Sequence, residues 1–194
     1  MDFEPGSATV ADTGAGAVGA DQVVMASSLS WAPAGDNRRM ASHSAGLLLY
    51  RAAADPGGFE VLLVHPGGPF WARKDAGAWS IPKGEYEAAE DPLAAARREF
   101  GEETGSPAPE GTEIDLGEAV QRGGKVVRAF ALRGDLDAAA VVSNTFEMVW
   151  PPKSGQVREF PEVDRAEWFT AADAADKLNP AQAVFLDRLA ETLG

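Results

Sequence analysis

The sequence predicts one mixed α/β domain, and three observations support that fold class. Short apolar runs of strand length recur along the chain and are bounded by Gly, Pro and Asp, which are turn signals. One marked helix pattern stands between the second and third of these runs, and two more close the chain. The 194 residues suit a single domain plus an extension, and a hydrophobic content of 45% is enough to bury a core.

The first two strands are predicted to form a hairpin, which a long loop follows. "SAGLLLYR", from Ser44, and "FEVLLVH", from Phe59, are separated by "AAADPGG", which is rich in turn residues. The loop "HPGGPFWARKDAGAWSIPKGE" covers residues 65–85 and is rich in aromatic residues. A loop of this length in a compact domain is more often functional than idle.

The clearest helix begins at Asp91 and ends near Thr104. Asp91 is a good N-cap residue, Pro92 suits the first helical position, and Gly105 supplies the stop. Further strands are expected at "TEIDLGEAV", "GKVVRAFALRG", "TFEMVW" and "AEWFT". Two helices then close the chain, at about 171–178 and 180–193, and Asn179 is the expected cap of the second.

The ordered pattern starts only after about forty residues. Residues 1–40 are rich in Ala, Gly and Ser and show no sustained period, which is typical of a flexible tail. We therefore expect a low-complexity tail at residues 1–40 and one domain at residues 41–194.

Composition excludes several classes of partner and chemistry. A net charge of −13 argues against a nucleic-acid polymer or an anionic membrane, because both bind clustered Lys and Arg. Without cysteine, disulfides, thiolate zinc sites and cysteine nucleophiles are excluded, and His43 and His65 are too few for a multi-histidine metal site. No apolar run is long enough to span a membrane and no secretory signal is visible. We expect a cytoplasmic monomer or homodimer with a small-molecule partner.

The helix at 91–104 concentrates carboxylates on one side. Glu99, Glu102 and Glu103 lie at i, i+3 and i+4, about a quarter-turn from the apolar stripe. That stripe consists of Leu93, Ala96 and Phe100. Clustered carboxylates suit a hard divalent cation such as Mg²⁺, which prefers oxygen ligands. Arg98 can pair with one of the carboxylates, and Glu90 could reach back toward the same site.

The stretch from Gly84 resembles the Nudix box, the signature of the Nudix hydrolase family. The box runs Gly, five residues, Glu, seven residues, then Arg-Glu-apolar-any-Glu-Glu-any-Gly-apolar. The positions that match it are Gly84, Glu90, Arg98, Glu99, Phe100, Glu102, Glu103 and Gly105. Ser106 departs from the pattern, because it stands at the final apolar position.

The resemblance implies a fold, a reaction and a set of roles. Nudix hydrolases are α/β/α sandwiches with a mixed sheet, and they use water and Mg²⁺ or Mn²⁺ to cleave a diphosphate linked to another moiety. By resemblance, the metal ligands are Glu99, Glu102, Glu103 and the Gly84 carbonyl. Arg98 and Glu90 would orient the carboxylates. The resemblance leaves open which glutamate is the general base.

The segment before the box indicates a substrate class. "WSIPKGE", residues 79–85, resembles the same segment in diadenosine polyphosphate hydrolases and some nucleoside triphosphate pyrophosphohydrolases. Lys83 would reach a phosphate, and Trp71 and Tyr86 are candidates to stack on a base, with Trp150 a further one. Trp79 and Trp168 are expected in the core, and His65 is expected to be structural. Arg122 and Lys125 are expected on a solvated turn.

A further glutamate outside the box is expected on the C-terminal side, as in many members of the family. Glu162 lies in "FPEVDRAEWF", a Pro-containing loop before a strand, and is favoured because loops carry many catalytic groups. Glu147, in "TFEMVW", is the competing position.

The predicted function is Mg²⁺-dependent hydrolysis of a nucleoside polyphosphate, and a dinucleoside polyphosphate is the leading substrate. Alternatives within the family are an oxidised-nucleotide triphosphatase and an ADP-ribose or nucleotide-sugar pyrophosphatase. The alternative of another class is a non-catalytic module that only senses a nucleotide.

Overall fold

The computed structural model describes residues 42–55 and 57–194. The predicted tail at residues 1–40 lies outside them. The strands are β1 (His43–Ala52), β2 (Phe59–Pro66), β3 (Lys83–Glu85), β4 (Ile114–Val120), β5 (Val126–Arg133), β6 (Thr145–Val149), β7 (Val157–Pro161) and β8 (Val163–Thr170). The α-helices are α1 (Pro92–Thr104), α2 (Ala171–Lys177) and α3 (Val184–Leu193), with 3₁₀ turns at Ala138–Ala140 and Pro180–Gln182.

Six strands form the main sheet, and β1 pairs with three of them. The order is β4-β5-β1-β2-β8, and β3 pairs with the first residues of β1. β1 runs parallel to β5 and antiparallel to β2 and β3, so the sheet is mixed, as predicted. β6 and β7 form a separate antiparallel hairpin.

Helices cover both faces of the sheet, which confirms the α/β/α sandwich. Phe100 of α1 packs in one apolar layer, with Leu47 and Leu49 of β1. Phe185 of α3 packs in the other layer, with Leu48 of β1. The alternation along β1 therefore feeds both cores, as expected for a central strand that is buried on its two faces.

Local signals explain the boundaries of α1. The Asp91 side chain accepts a hydrogen bond from the Ala94 amide at 2.9 Å, and Pro92 occupies the first helical position. Gly105 ends the helix in the left-handed region, at φ 71°. The predicted helix is thus confirmed at both ends.

Three local predictions were wrong. The long loop contains β3, whose three residues are recognisable only through their pairing with β1. The final helix is not continuous from residue 180, because a 3₁₀ turn at Pro180–Gln182 precedes α3. The buried side chain of Gln182 links that turn to the segment before β3, because it accepts a hydrogen bond from the Ile81 amide at 3.0 Å. Asn179 therefore caps the 3₁₀ turn and not α3.

The third error concerns the segment before β8. The structure forms β7 there, and Glu162 stands at the junction of β7 and β8 rather than in a loop. Four of the five β7 residues are exposed, so no alternating apolar pattern marked the strand. Among the described residues, no helix combines the length and apolarity needed to cross a membrane.

Candidate active site

β3 and α1 bring the first two candidate residues into contact. Gly84 pairs with Ala45 of β1 and faces α1. The Glu99 carboxylate lies directly against it, and a β-carbon at position 84 would come within 1.9 Å of Glu99 Oε2. Glu99 is only 3% exposed. The absence of a side chain at Gly84 therefore makes the space that the carboxylate fills.

Glu103 lies on the same helix, one turn further on, and is held by β3. The Lys83 amide donates a hydrogen bond to Glu103 Oε2 at 3.1 Å. Burial raises the pKa of Glu103 to about 7, although the Lys83 charge and this hydrogen bond oppose the rise. Burial likewise raises the pKa of Glu99, against the effect of Arg98. Two desolvated carboxylates thus lie beside the start of β3.

Arg98 ties the acidic groups together. Its guanidinium donates to Glu99 Oε1 at 2.5 Å, to Glu102 Oε1 at 3.4 Å and to Glu90 Oε1 at 3.2 Å. It also donates to the Glu85 carbonyl at 3.4 Å, so it joins α1 to β3. The bonds to Glu90 and Glu99 raise the pKa of Arg98 above its ordinary value, despite desolvation. The guanidinium is placed to set the carboxylate orientations.

Glu162 reaches the same region from the junction of β7 and β8. It is 7% exposed, and its amide donates to the Asn144 carbonyl at 2.9 Å. The Asn144 amide in turn donates to the Glu102 carbonyl at 3.1 Å, which links the junction of β7 and β8 to the end of α1. The charge of Glu162 contributes to the raised pKa of both Glu99 and Glu103. Glu162 is therefore within electrostatic reach of both carboxylates.

Glu147, the competing position, lies elsewhere. It is exposed on β6 and pairs in register with Glu159 of β7, in the separate hairpin. Of the two downstream glutamates, Glu162 is the one that the structure brings to the buried carboxylates.

The donor set fits a hard divalent cation. In the part of the chain that the structure describes, no three His, Asp or Glu side chains are already arranged as a metal-binding group. However, Glu99 and Glu103 carry carboxylate oxygens whose charged form burial disfavours, and Glu99 fits into the space that Gly84 leaves. A cation between such carboxylates would offset their desolvation, and oxygen ligands are those that Mg²⁺ prefers.

Lys125 is a residue whose position the sequence analysis misjudged. Arg122 is exposed on the β4–β5 turn, as expected, but the Lys125 side chain is only 24% exposed. Lys125 Nζ lies 3.3 Å from Glu85 Oε1. Burial lowers the pKa of Lys125, and the neighbouring charge of Lys83 adds to that effect. The expectation failed because the turn packs against β3, an element that the sequence did not reveal.

The aromatic candidates occupy three different settings. Tyr86 is half-buried, and its ring meets the His43 ring edge-on with centroids 6.3 Å apart. Trp71 is half-buried in the loop after β2, with Lys74 Nζ 4.3 Å from its ring centroid. Trp150 meets the Phe70 ring edge-on at 5.2 Å.

Three other side chains have the structural settings expected of them. Trp79 is buried in the layer shared with α3, as expected, and its Nε1 donates to Asp75 at 2.8 Å. Trp168, half-buried, packs against the layer on the α1 face. His65 is fully buried, with Nδ1 2.6 Å from Asp164 Oδ1 and Nε2 2.8 Å from the Lys74 carbonyl, so it anchors the loop.

Comparison with known families decides the identity of this domain. The model of the NUDIX domain matches residues 42–189, which is most of the chain. The chain belongs to the Nudix hydrolase family. This Nudix protein is therefore a hydrolase, and divalent metal cations are the cofactors that its family generally uses. No curated protein matches it significantly.

Of the solved structures that are similar to this Nudix protein, the first two reported below support its fold. The NUDIX domain of Shewanella oneidensis NrtR, complexed with ADP ribose, matches with a TM-score of 0.52 and 15% identity, over 80% of this chain and 90% of that one. A mutT/nudix family protein from Listeria innocua matches with a TM-score of 0.51 and 16% identity, over 80% and 96%. The Ap4A hydrolase of C. elegans matches with a TM-score of 0.49 and 22% identity, over 80% and 100%.

Proposed function

We propose that this Nudix protein hydrolyses a diphosphate linkage in a nucleoside polyphosphate with the help of Mg²⁺ or Mn²⁺, and that a dinucleoside polyphosphate is its leading substrate. One observation carries the proposal: buried Glu99 and half-buried Glu103 meet at β3, within electrostatic reach of buried Glu162. Carboxylates whose pKa values are raised by burial and by one another are typical of functional sites.

The metal would be held by Glu99, Glu102, Glu103 and the Gly84 carbonyl. When bound, such a cation neutralises the diphosphate and favours ionisation of the attacking water. Arg98, which contacts Glu90, Glu99 and Glu102, orients these carboxylates without being a ligand. It also offsets part of their mutual repulsion, so that the oxygen donors stay together.

Glu162 is proposed as the group that accepts the proton of the attacking water. In support, its backbone is linked through Asn144 to the end of α1, its side chain is buried, and its charge acts on Glu99 and Glu103. A positioned base of this kind contributes on the order of 10²–10⁴-fold to a rate. Glu102 and Glu103 remain the alternatives for this role within the box.

Lys83, Tyr86 and Trp71 are proposed to bind the substrate. The Lys83 charge acts on the Glu103 carboxylate, which the Lys83 amide also holds, so its ammonium can serve as a point charge for a phosphate near the glutamates. Tyr86 follows the same strand and is half-exposed. Trp71 offers a ring that already attracts a cation, and rings of this type also stack on nucleobases.

A substrate panel tests the proposal. Diadenosine tetraphosphate, an oxidised purine nucleoside triphosphate and ADP-ribose are incubated with wild type and Glu103→Gln in the presence of Mg²⁺. We expect the highest kcat/KM for the tetraphosphate and loss of turnover in the variant. A preference for the oxidised nucleotide or for ADP-ribose would assign the corresponding alternative activity. Nucleotide binding without turnover of any substrate would identify a sensing module instead.

A further inference from the structure

His65 is fully buried, and both nitrogens of its ring lie against oxygen atoms. Nδ1 is 2.6 Å from Asp164 Oδ1, and Nε2 is 2.8 Å from the Lys74 carbonyl oxygen. A carbonyl and an ionised carboxylate only accept hydrogen bonds, whereas a neutral imidazole has a single N–H. Both contacts are hydrogen bonds at the same time only when the ring carries two protons. The geometry therefore requires an imidazolium ion between Asp164 and Lys74.

One partner of the ring lies in the loop between β2 and β3, residues 67–82, which we call the β2–β3 loop. Lys74 stands near the middle of this loop, three residues after Trp71. The Lys74 amide donates a hydrogen bond to the Trp71 carbonyl at 2.7 Å, and Lys74 Nζ lies 4.3 Å from the centroid of the Trp71 ring. A bond from the His65 ring to the Lys74 carbonyl therefore also fixes the turn that carries Trp71.

The other partner of the ring lies at the junction that carries Glu162. Asp164 stands two residues after Glu162, on β8. The end of β2 pairs with β8, and the Gly67 amide, just beyond β2, donates a hydrogen bond to the Glu162 carbonyl at 2.8 Å. A β-carbon on Gly67 would come within 2.1 Å of the Pro161 carbonyl oxygen, so the β2–β3 loop begins in direct contact with the β7–β8 junction. The His65 ring thus joins the loop and the junction where they meet.

The charged groups around the ring are few and mostly paired with one another. The Trp79 ring meets the histidine edge-on, with centroids 5.2 Å apart, and its Nε1 donates to Asp75, which is itself paired with Lys177. Arg165, the neighbour of the histidine across β8, has Nε 3.6 Å from Asp164 Oδ1 and its guanidinium 5.1 Å from the Trp79 centroid. Asp164 is the carboxylate in direct contact with the ring. Loss of the second ring proton would leave one of the two acceptors without its donor, which is unfavourable in a buried place.

We propose that His65 is a positioning residue, whose imidazolium ion fixes the β2–β3 loop on the β7–β8 junction through Lys74 and Asp164. In this way it places Trp71 for the substrate and Glu162 for the attacking water, and it touches neither of these ligands itself. The inference rests on the proposed function and extends it to a residue outside the glutamate cluster. Because the bridge needs both ring protons, it holds while the ring is charged and is released as rising pH removes one proton.

Nuclear magnetic resonance tests the charge of the ring without substrate or metal. The chain contains two histidines, His43 and His65, so the ring signals of the ¹⁵N-labelled full chain are few, and His43→Gln assigns them. We expect protons on both ring nitrogens of His65 at about pH 7. A His65 ring with a single protonated nitrogen at that pH would overturn the proposal.

Hydrogen exchange tests the link to the loop, also without catalysis. In His65→Phe, which removes both hydrogen bonds, amides of the β2–β3 loop should exchange about tenfold faster than in wild type. His65→Gln can donate from one nitrogen only and serves the same test if His65→Phe does not fold. Leu132→Ala is the control for a general loss of stability, since Leu132 is fully buried at the end of β5, and it should leave the exchange of the loop unchanged.

Kinetics with diadenosine tetraphosphate and Mg²⁺ test the effect on the site. His65→Phe should raise KM, because the loop carries Trp71, and lower kcat about tenfold or more, because the junction carries Glu162. In Asp164→Asn the side-chain amide can donate to Nδ1 of a neutral ring whose Nε2 still donates to Lys74, so most of the activity should survive. Wild-type kcat should fall with rising pH over the interval in which the resonance signals show His65 losing a proton, and Asp164→Asn should lack that fall.

Two results would overturn the positioning role. They are unchanged exchange of the loop in both His65 variants, and a loss of kcat in Leu132→Ala equal to that in His65→Phe. Absence of all turnover by wild type would contradict the proposed function, and the resonance and exchange measurements would still decide whether a charged His65 fixes the loop.

Discussion

The carboxylate of Glu99 occupies the space that a side chain at position 84 would need. A β-carbon on Gly84 would meet Glu99 Oε2 at 1.9 Å and the carboxyl carbon at 2.0 Å. Glu99 has little room to yield, because it is buried and Arg98 holds its other oxygen at 2.5 Å. Position 84 therefore requires glycine because a side chain there would displace the Glu99 carboxylate, and not because the backbone adopts an unusual conformation.

Gly84→Ala should consequently damage activity more than stability. The added methyl group displaces the Glu99 carboxylate, and a misplacement of about 1 Å in an active site can cost on the order of 10²-fold in rate. We expect kcat to fall by that order and the Mg²⁺ concentration for half-maximal activity to rise. Gly101→Ala is the control, because its β-carbon would meet the nearest atom, the Ser106 carbonyl oxygen, at an ordinary 3.8 Å. In α1 that change should stabilise the fold by about 0.5–1 kcal/mol without altering kinetics. Similar losses of activity in both variants would contradict the steric explanation.

Glu102→Gln and Glu103→Gln should each abolish turnover and leave the fold intact. Each removes one charge from the proposed metal site, so Mg²⁺ affinity and rate should both fall. Burial already disfavours the charged form of Glu103, so the neutral amide should not lower the melting temperature of the metal-free protein. Steady-state rates across a Mg²⁺ titration, with calorimetric melting curves, check both expectations. Most of the activity surviving at saturating Mg²⁺ in both variants would refute the metal site.

Features that depend on neighbouring residues were predictable from sequence. The cap at Asp91, the proline beside it and the stop at Gly105 are local chemistry, and α1 begins and ends there. The spacing of Glu99, Glu102 and Glu103 likewise follows from the helical repeat alone. The fold class could be predicted because apolar runs separated by turn residues can be recognised as strands before the strands they pair with are known.

Features that depend on pairing between distant segments were not predictable. β3 has three residues and exists because Lys83, Gly84 and Glu85 pair with the start of β1. β7 presents mostly exposed residues and so lacks an apolar alternation. Lys125 looked like a residue of a solvated turn, and its burial arises from contact with Glu85, forty positions away. Glu162 is buried at the β7–β8 junction, which could not be anticipated because β7 itself was not predicted.

The ion pair of Arg97 and Glu113 should make the stability of the folded state depend on pH in the acidic range. Arg97 Nε donates to Glu113 Oε1 at 2.8 Å and so joins α1 to the segment before β4. The hydrogen bond from Arg97 lowers the pKa of Glu113 below its ordinary value. The folded-state pKa of Glu113 therefore lies below its unfolded value of about 4.3. Above the unfolded pKa the pair contributes its full stabilisation of the folded state. That stabilisation is lost as the pH falls through the folded-state pKa.

Glu113→Gln should therefore lower the melting temperature at pH 7 and have progressively less effect as pH falls below about 4. Glu110→Gln is the matched control, since Glu110 is exposed in the same segment. Calorimetric melting curves recorded from about pH 3 to about pH 7 check the trend. A difference between Glu113→Gln and wild type that stayed constant over the whole range would show that the charge of Glu113 is not what stabilises the fold.

Glu162 and Glu147 offer the sharpest comparison, because both are glutamates downstream of the box and only one is buried near it. Glu162 is 7% exposed and linked through Asn144 to the end of α1, whereas Glu147 is exposed on β6. If Glu162 accepts the proton of the attacking water, Glu162→Gln should lower kcat by on the order of 10²-fold or more. It should also remove the acidic limb from the dependence of kcat on pH, because that limb reports the protonation of the base. Glu147→Gln should match wild type in both respects. An inert Glu162→Gln beside a crippled Glu147→Gln would move the catalytic base to the β6–β7 hairpin and reverse the assignment.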